Sequence, residues 1–300
     1  MFAEFFPVFI AAILAGFLGA LLGIGGGVII VTALSLYFHL PIHVAIAASL
    51  VSVIATSIAG ALRYVKQRIS DVKLGMFLEM ATTSGALAGA FIGVLLSAYV
   101  LSLIFGAFLL YEAGHSLLSR NKKEGDGGLS KVKADDPDGF AGDAIASDRL
   151  LKRGVYYDKA LGTEISYTPV RPVSGALVVS LAGLAAGLLG IGGGVINVAA
   201  MNSIMKVPVK VSIATSQFMI AVTAATGAIV YFIAGGIDVY VVAPAALGTV
   251  LGSTVGSLLM NKVPTKVLKT VFQVLLLYLG YQMIAKGILM GFGIRFPGII

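Results

Sequence analysis

Gly-Ile-Gly-Gly-Gly occurs twice in these 300 residues, at 23–27 and at 190–194, each time inside Leu-Leu-Gly-Ile-Gly-Gly-Gly-Val-Ile. Such a run is a poor helix interior, costing about 1 kcal/mol per Gly relative to Ala. Its chemistry is that of bare backbone: freed N–H groups, no side chains in the way, and a ligand able to come close. A helix restarts at Gly27 or Val28, and again at Gly194 or Val195. Its free N–H groups and its dipole favour an anion. Close helix packing through small residues is the alternative use of glycine. The motif is neither a phosphate-binding loop, since no Lys-Ser/Thr follows it, nor a dinucleotide fingerprint, since no strands flank it. Gly25, Gly26, Gly27, Gly192, Gly193 and Gly194 are therefore the first candidate binding residues.

Polar side chains near these loops extend the set. Ser49 and Ser216 occupy matching positions in apolar runs, and Thr215 and Gln217 flank the second. Ser52, Thr56 and Thr223 lie one or two turns further along, and Asn197 and Asn202 follow the second loop. Hydroxyls and amides can donate to an oxyanion without a buried fixed charge, although helix–helix hydrogen bonding uses the same groups. Ser49, Thr215, Ser216, Gln217 and Asn197 are carried as candidates. Glu79 sits in an apolar run, and an intramembrane carboxylate is a functional hypothesis by default. Proton coupling is one role; a buried neutral acid or a paired one is the other. His39 and His43 match Lys206 and Lys210 and would mark two mouths of a pathway. Two His four apart lack a third ligand, so no metal site is expected. Three His and no Cys leave little from which to build a catalytic centre, a disulfide or a thiolate zinc site. No catalytic residue and no cofactor are expected.

The elements that position these residues are membrane spans. The chain is 58% hydrophobic and 12% charged, against about 25% charged in soluble domains. Apolar runs cover about 5–38, 44–62, 74–97, 99–118, 172–205, 211–234, 239–260 and 264–290. Six have the length of one span of roughly 20 residues. Those at 5–38 and 172–205 are too long for one straight helix, and the glycine motif interrupts both. The N-terminal segment lacks a basic n-region and a small-residue cleavage site, so it reads as the first membrane segment.

With an offset of 167, residues 16–91 align without a gap on 183–258, about a third of them identical. Pro41, Ser49, Thr56, Gly60, Tyr64, Asp71, Thr82, Gly85 and Gly89 fall on Pro208, Ser216, Thr223, Gly227, Tyr231, Asp238, Thr249, Gly252 and Gly256. This is an internal repeat, and repeats in transporters are parallel or inverted. Arg63, Lys66, Arg68 and Lys73 follow the second run, whereas Lys206, Lys210, Lys262, Lys266 and Lys269 follow the first and third runs of the other half. Four full spans per half would put those five lysines outside. A glycine-interrupted hairpin plus three spans per half puts every cluster inside, as the positive-inside rule requires. The expected fold is thus an all-α polytopic membrane protein. It has two homologous repeats, inverted, each with a Gly-interrupted (re-entrant or broken) first helix and three transmembrane helices. Both termini are expected outside.

The expected divisions are a first repeat over 1–119, a cytoplasmic linker over 120–171 and a second repeat over 172–300. The linker holds nine of the 14 acidic residues and ten of the 21 basic ones. Its composition predicts a mobile stretch over 121–149. A small hairpin should follow, with strands at Val155–Tyr157 and Ile165–Tyr167 and a turn near Leu161-Gly162. Most of the net charge of +7 lies outside this linker. It is a topology signal with a secondary role in drawing anions, and it does not argue for nucleic acid.

The paired glycine motifs, Val-Pro-Val-Lys-Val-Ser-Ile-Ala-Thr-Ser-Gln-Phe at 207–218 and Tyr-Tyr-Asp-Lys-Ala-Leu-Gly at 156–162 resemble the TauE/SafE sulfite-exporter family, also called the TSUP permeases. The resemblance spans about 8–290. It implies secondary transport of a small sulfur-containing anion such as sulfite, thiosulfate or an organosulfonate. The apolar runs themselves imply a multi-pass protein of the inner or plasma membrane, surrounded by lipid, and Glu79 makes protons a candidate coupling ion. Carried over by motif, the resemblance puts substrate near Gly25–Gly27 and Gly192–Gly194, with Ser49, Thr215, Ser216 and Gln217 nearby. An anion channel is the alternative, and an integral-membrane enzyme a more remote one. The residues leave oligomeric state and direction of transport open.

Overall fold

The computed structural model describes residues 2–22, 26–66, 69–123, 154–158, 163–259 and 265–294. In chain order the first half comprises α1 (Phe2–Leu22), α2 (Gly27–Leu36), α3 (Ile42–Lys66), α4 (Val72–Leu95) and α5 (Ala98–Lys123). Strands β1 (Gly154–Asp158) and β2 (Thr163–Tyr167) follow. The second half comprises α6 (Pro172–Leu189), α7 (Gly194–Ala199), a π-helical segment (Ala200–Ile204), α8 (Val209–Ile233), α9 (Val239–Leu259) and α10 (Thr265–Phe292). Among the described residues, six helices are long and apolar enough to cross a membrane. The protein is an all-α polytopic membrane protein. The expected hairpin is present: β1 pairs antiparallel with β2, Gly154 opposite Tyr167. Its turn near Leu161-Gly162 and the stretch 124–149 lie outside the described residues.

Both glycine runs break the helix where the composition says they must, and α2 and α7 restart at Gly27 and Gly194. Each break turns the chain back on itself. Gly26 (φ 75°) lies where a methyl group would come within 2.9 Å of the Ala15 carbonyl oxygen, well back along α1. Gly193 (φ 67°) stands in the same relation to Ala182 of α6. The fold-back is complete in the second half. The Val170 N–H, just before α6, donates to the Met205 carbonyl at 3.1 Å. That glycine-interrupted block therefore enters and leaves at the same end.

Matched positions behave alike beyond the loops. Leu40 N–H bonds to Leu34 O, and Val207 N–H to Met201 O, closing the two blocks in the same six-residue loop. The residue before each donor is left-handed although it is not glycine: His39 at φ 52° and Lys206 at φ 57°. One difference is that α2 is α-helical to Leu36, whereas the second copy passes into the π-helical segment after Ala199.

Packing follows from small residues. The structure divides into two compact units, residues 1–96 with 147–262, and 97–146 with 263–300. In the first unit, α4 lies on α6 and α1 lies on α9. Gly85 and Gly89 of α4 sit against the backbone carbonyls of Ser180 and Leu184. Their matches Gly252 and Gly256 of α9 sit against those of Ile13 and Phe17. Gly16 faces Thr249 O, and Gly183 faces Thr82 O. Without a hydrophobic force between helices in lipid, such backbone-to-backbone packing is what holds them. Large apolar side chains such as Leu14, Phe91, Leu181, Ile229 and Leu251 point outward. In the second unit α5 packs on α10, again through glycine, at Gly106 and Gly280.

A side chain cannot be added where the neighbour is backbone. Gly85→Ala and its match Gly252→Ala should each destabilise the detergent-solubilised protein by about 1–3 kcal/mol, read as a lower thermal midpoint. Gly114→Ala, where nothing lies within 4 Å, should leave it unchanged or raise it. Tolerance of both Gly85 and Gly252 variants would contradict the packing described.

Candidate functional site

The two glycine loops meet. A methyl group on Gly27 would come within 2.7 Å of the Gly190 carbonyl oxygen. Ser49 of α3 bridges them: its Oγ lies 3.0 Å from Gly27 O and 2.8 Å from Gly190 O, so its one proton is shared. Ser216 of α8 repeats half of this arrangement, donating to Gly194 O at 3.2 Å. Val53, one turn beyond Ser49, touches the Cβ positions of both Gly27 and Gly192. Its match Ile220 touches those of Gly192 and Gly194. Gly190 (φ 70°) and Gly192 (φ 75°) add left-handed backbone that a side chain would strain. The structure thus brings Gly26, Gly27, Gly192, Gly193, Gly194, Ser49 and Ser216 to one buried place in the bundle. Gly25 lies outside the described residues.

Other predicted residues face elsewhere. Thr215 is next to Ser216 on the helix, and that neighbour points about 100° away. Its Oγ1 accepts the Asp71 N–H at 3.0 Å, beside the start of α4. Gln217 turns to α3, its Oε1 3.1 Å from the Cβ position of Gly60. Ser52 donates to Ala48 O and Thr56 to Val53 O, within their own helix. Asn202 donates to Val207 O at 3.0 Å, closing the π-helical segment.

Asn197 differs from all of these. It is fully buried in α7, and neither its Oδ1 nor its Nδ2 has a hydrogen-bond partner. Buried polar groups are nearly always paired, and an unpaired one calls for an explanation such as a missing water or ligand. It lies one turn past Gly193, whose carbonyl accepts the Asn197 backbone N–H. An amide there offers two donors and one acceptor with nothing yet to bind.

Glu79 is buried in α4, and hydroxyls surround its carboxylate. Oε1 accepts from Thr83 at 2.8 Å and from Thr223 of α8 at 2.9 Å, and Oε2 accepts from Thr82 at 3.1 Å. No salt bridge to it is among the described contacts. The group joins α4 to the helix that carries Ser216.

Two features were invisible in the sequence pattern. Tyr231, matched to Tyr64, is the largest fully buried side chain among the described residues, and its hydroxyl donates to the Leu188 carbonyl at 3.3 Å. Tyr167 of β2 donates to Asp71 Oδ2 at 2.8 Å, across 96 residues. Burial, and then the Asp71 carboxylate, hold this phenol well above the ordinary phenol range. It therefore stays protonated and keeps donating. The His43 Nε2–H donates to the Gly93 and Leu96 carbonyls (3.2 and 3.0 Å), at the end of α4. Donation is the sensible direction for a carbonyl partner. His39 and Lys206 are exposed at the two block exits. Among the described residues, no cluster of three metal-ligating side chains occurs.

Comparison with known proteins gives a consistent picture. The family model described as Sulfite exporter TauE/SafE matches residues 8–283. The probable membrane transporter protein YunE of Bacillus subtilis is 27% identical over 295 residues, 95% of this chain and 99% of its own length. YdhB of the same organism, also named a probable membrane transporter protein, is 24% identical over 264 residues, 88% of this chain and 91% of its own. MamO of Magnetospirillum gryphiswaldense, named likewise, is 27% identical over 270 residues, 87% of this chain but 42% of its own length. No solved structure matches this chain.

Removing the unpaired amide separates a ligand site from a packing accident. Asn197→Leu should stabilise the ligand-free protein by about 1–3 kcal/mol, the cost of an unsatisfied buried group. It should also abolish any rise in thermal midpoint on adding sulfite. A variant that keeps the sulfite-induced rise would remove Asn197 from the site.

Proposed function

The chain belongs to the sulfite exporter TauE/SafE family, and on that premise we propose that it is a secondary transporter of a small sulfur-containing anion. Sulfite, thiosulfate and a small organosulfonate fit the class. The observation that carries this reading is the meeting of the two glycine loops at Gly27 and Gly190, with the unpaired Asn197 amide beside the second loop. Broken helices at matching positions in two halves are the general pattern of a transporter binding site. Backbone N–H groups at the start of α2, and the Asn197 amide, can hold an oxyanion by dipoles alone. Dipolar recognition suits a carrier: it binds the anion without the trap of a fixed opposite charge. Ser49 and Ser216 hold the loops in shape by bonding their carbonyls. Thr215 and Gln217, on the same helix as Ser216, face α4 and α3 instead of the loops.

The halves are proposed to be inverted, with repeat boundaries at 1–119 and 172–300 and the linker 120–171 in the cytoplasm. The bond between Val170 and Met205 supports this, since a block that leaves where it entered leaves three spans to its half. Substrate exchange then follows from alternating access about the shared site, in the inner or plasma membrane. Glu79 is proposed as the coupling group, taking a proton when the Thr83 and Thr223 hydroxyls release it.

Purified protein in liposomes should take up labelled sulfite faster when unlabelled sulfite is inside. Such trans-acceleration distinguishes a carrier from a channel. Gly193→Val should reduce uptake to the level of protein-free liposomes while still eluting as a single species, and Gly27→Ala, set against Gly190 O, should do the same. Normal sulfite uptake by either variant would sink the proposed site. In the same assay Glu79→Gln should flatten the pH profile, and an unchanged profile would refute the coupling role.

A further inference from the structure

The matched halves part company at one end of the first unit. Asp71 and Asp238 occupy matching positions, and each caps the helix that follows it, α4 or α9, by accepting a first-turn N–H. Asp71 Oδ1 accepts the Leu74 N–H at 3.0 Å, and Asp238 Oδ1 accepts the Tyr240 N–H at 2.9 Å. Asp238 is exposed. Asp71 is tied twice more, its Oδ2 to the Tyr167 hydroxyl and its N–H to Thr215 Oγ1. The residue matching Thr215 is Ala48, which has no acceptor to offer.

The hairpin does more than touch Asp71. Tyr156 of β1 is 6% exposed and belongs to a buried cluster with Leu74, Leu78, Val179, Met201, Met205 and Val211. Ile165 and Tyr167 of β2 pack against the same cluster. Just past β2, Val170 bonds to Met205, where the second glycine block ends. One small β-hairpin thus joins the start of α4, the start of α8 and the exit of the second block. Among the described residues, nothing of the kind covers the matching end, where Leu34 and Val44 stand in place of Met201 and Val211.

A carrier built from two matched halves has two mouths that internal symmetry would make equivalent. Its two access states then differ in energy only through features that break the symmetry. We propose that the β1–β2 hairpin is the gate of one mouth. Latched by Tyr167 on Asp71, it holds α4, α8 and the exit of the second glycine block together, and it must lift for that mouth to open. In the inverted arrangement this is the cytoplasmic mouth. The proposal rests on the alternating-access reading, so its test reads accessibility and not sulfite flux.

The chain contains no cysteine, which allows single reporters. Met201→Cys places one beneath the hairpin, and Leu34→Cys places one at the matched position of the other end; both parent residues are buried. Each is combined with Tyr167→Phe, which removes the latch hydroxyl and keeps the ring. Labelling by a membrane-impermeant maleimide is followed from either face of sealed vesicles. The latch variant should speed labelling at 201 by about tenfold or more, the factor carried by a hydrogen bond to a charged group. Labelling at 34 should stay the same or slow. Equal rates at 201 with and without the latch overturn the proposal. A rise at both reporters also overturns it, because that is general loosening and not a gate. If Met201→Cys does not fold, Met205→Cys with its match Phe38→Cys gives the same comparison. A protein that does not carry sulfite at all would still show the 201 response, so the two readings fail separately.

Discussion

Backbone approaching backbone, where glycine leaves no Cβ, is the contact on which the rest of this bundle depends. In lipid no water satisfies a freed N–H or carbonyl, so a broken helix is tolerated only where protein or a lined cavity takes over. Here the breaks at Gly26 and Gly193 fold back against α1 and α6, and the loops lean on each other through Gly27 and Gly190. The helices that enclose them approach just as closely, carbonyl against Gly85, Gly89, Gly252 and Gly256. A side chain at any of these points would push apart the elements that shape the site. Glycine in this chain therefore packs helices against backbone, and it also lets two of them break and fold back.

Polar side chains divide along the same line. Most of the buried hydroxyls spend their proton inside the fold: Ser52 and Thr56 on their own helix, Ser49 and Ser216 on the loop carbonyls. Ser49 and Ser216 thereby brace the glycine loops. Asn197 differs, with neither side-chain atom paired. Glu79 lies between, satisfied by three hydroxyls yet carrying a group that can change its charge.

Much of this was legible in the residues. The glycine runs located the helix breaks and, to within one residue, the restarts at Gly27 and Gly194, because consecutive glycines make a poor helix interior. Alternation in Val155–Tyr157 and Ile165–Tyr167 located the hairpin. What could not be read was the direction of individual side chains. Thr215 and Ser216 are neighbours in one motif, yet one reaches Asp71 and the other Gly194. Helical phase separates them, and sequence alone does not fix the phase against a partner helix. The Tyr167–Asp71 bond was equally out of reach, because it joins a hairpin to a helix cap 96 residues away. The left-handed His39 and Lys206 carry side chains where glycine is usual, and so gave no signal.

The central claim is that each glycine-interrupted block is a hairpin and that the two halves are consequently inverted. Two exposed positions in the second half test it directly: Val209, just after the block, and Ala234, beyond α8. With a single cysteine at one or the other, impermeant maleimide applied to each face of sealed vesicles reports sidedness. The account predicts that Val209→Cys labels only from the cytoplasmic face and Ala234→Cys only from the opposite face. The reverse pattern, which four full spans per half would produce, contradicts it.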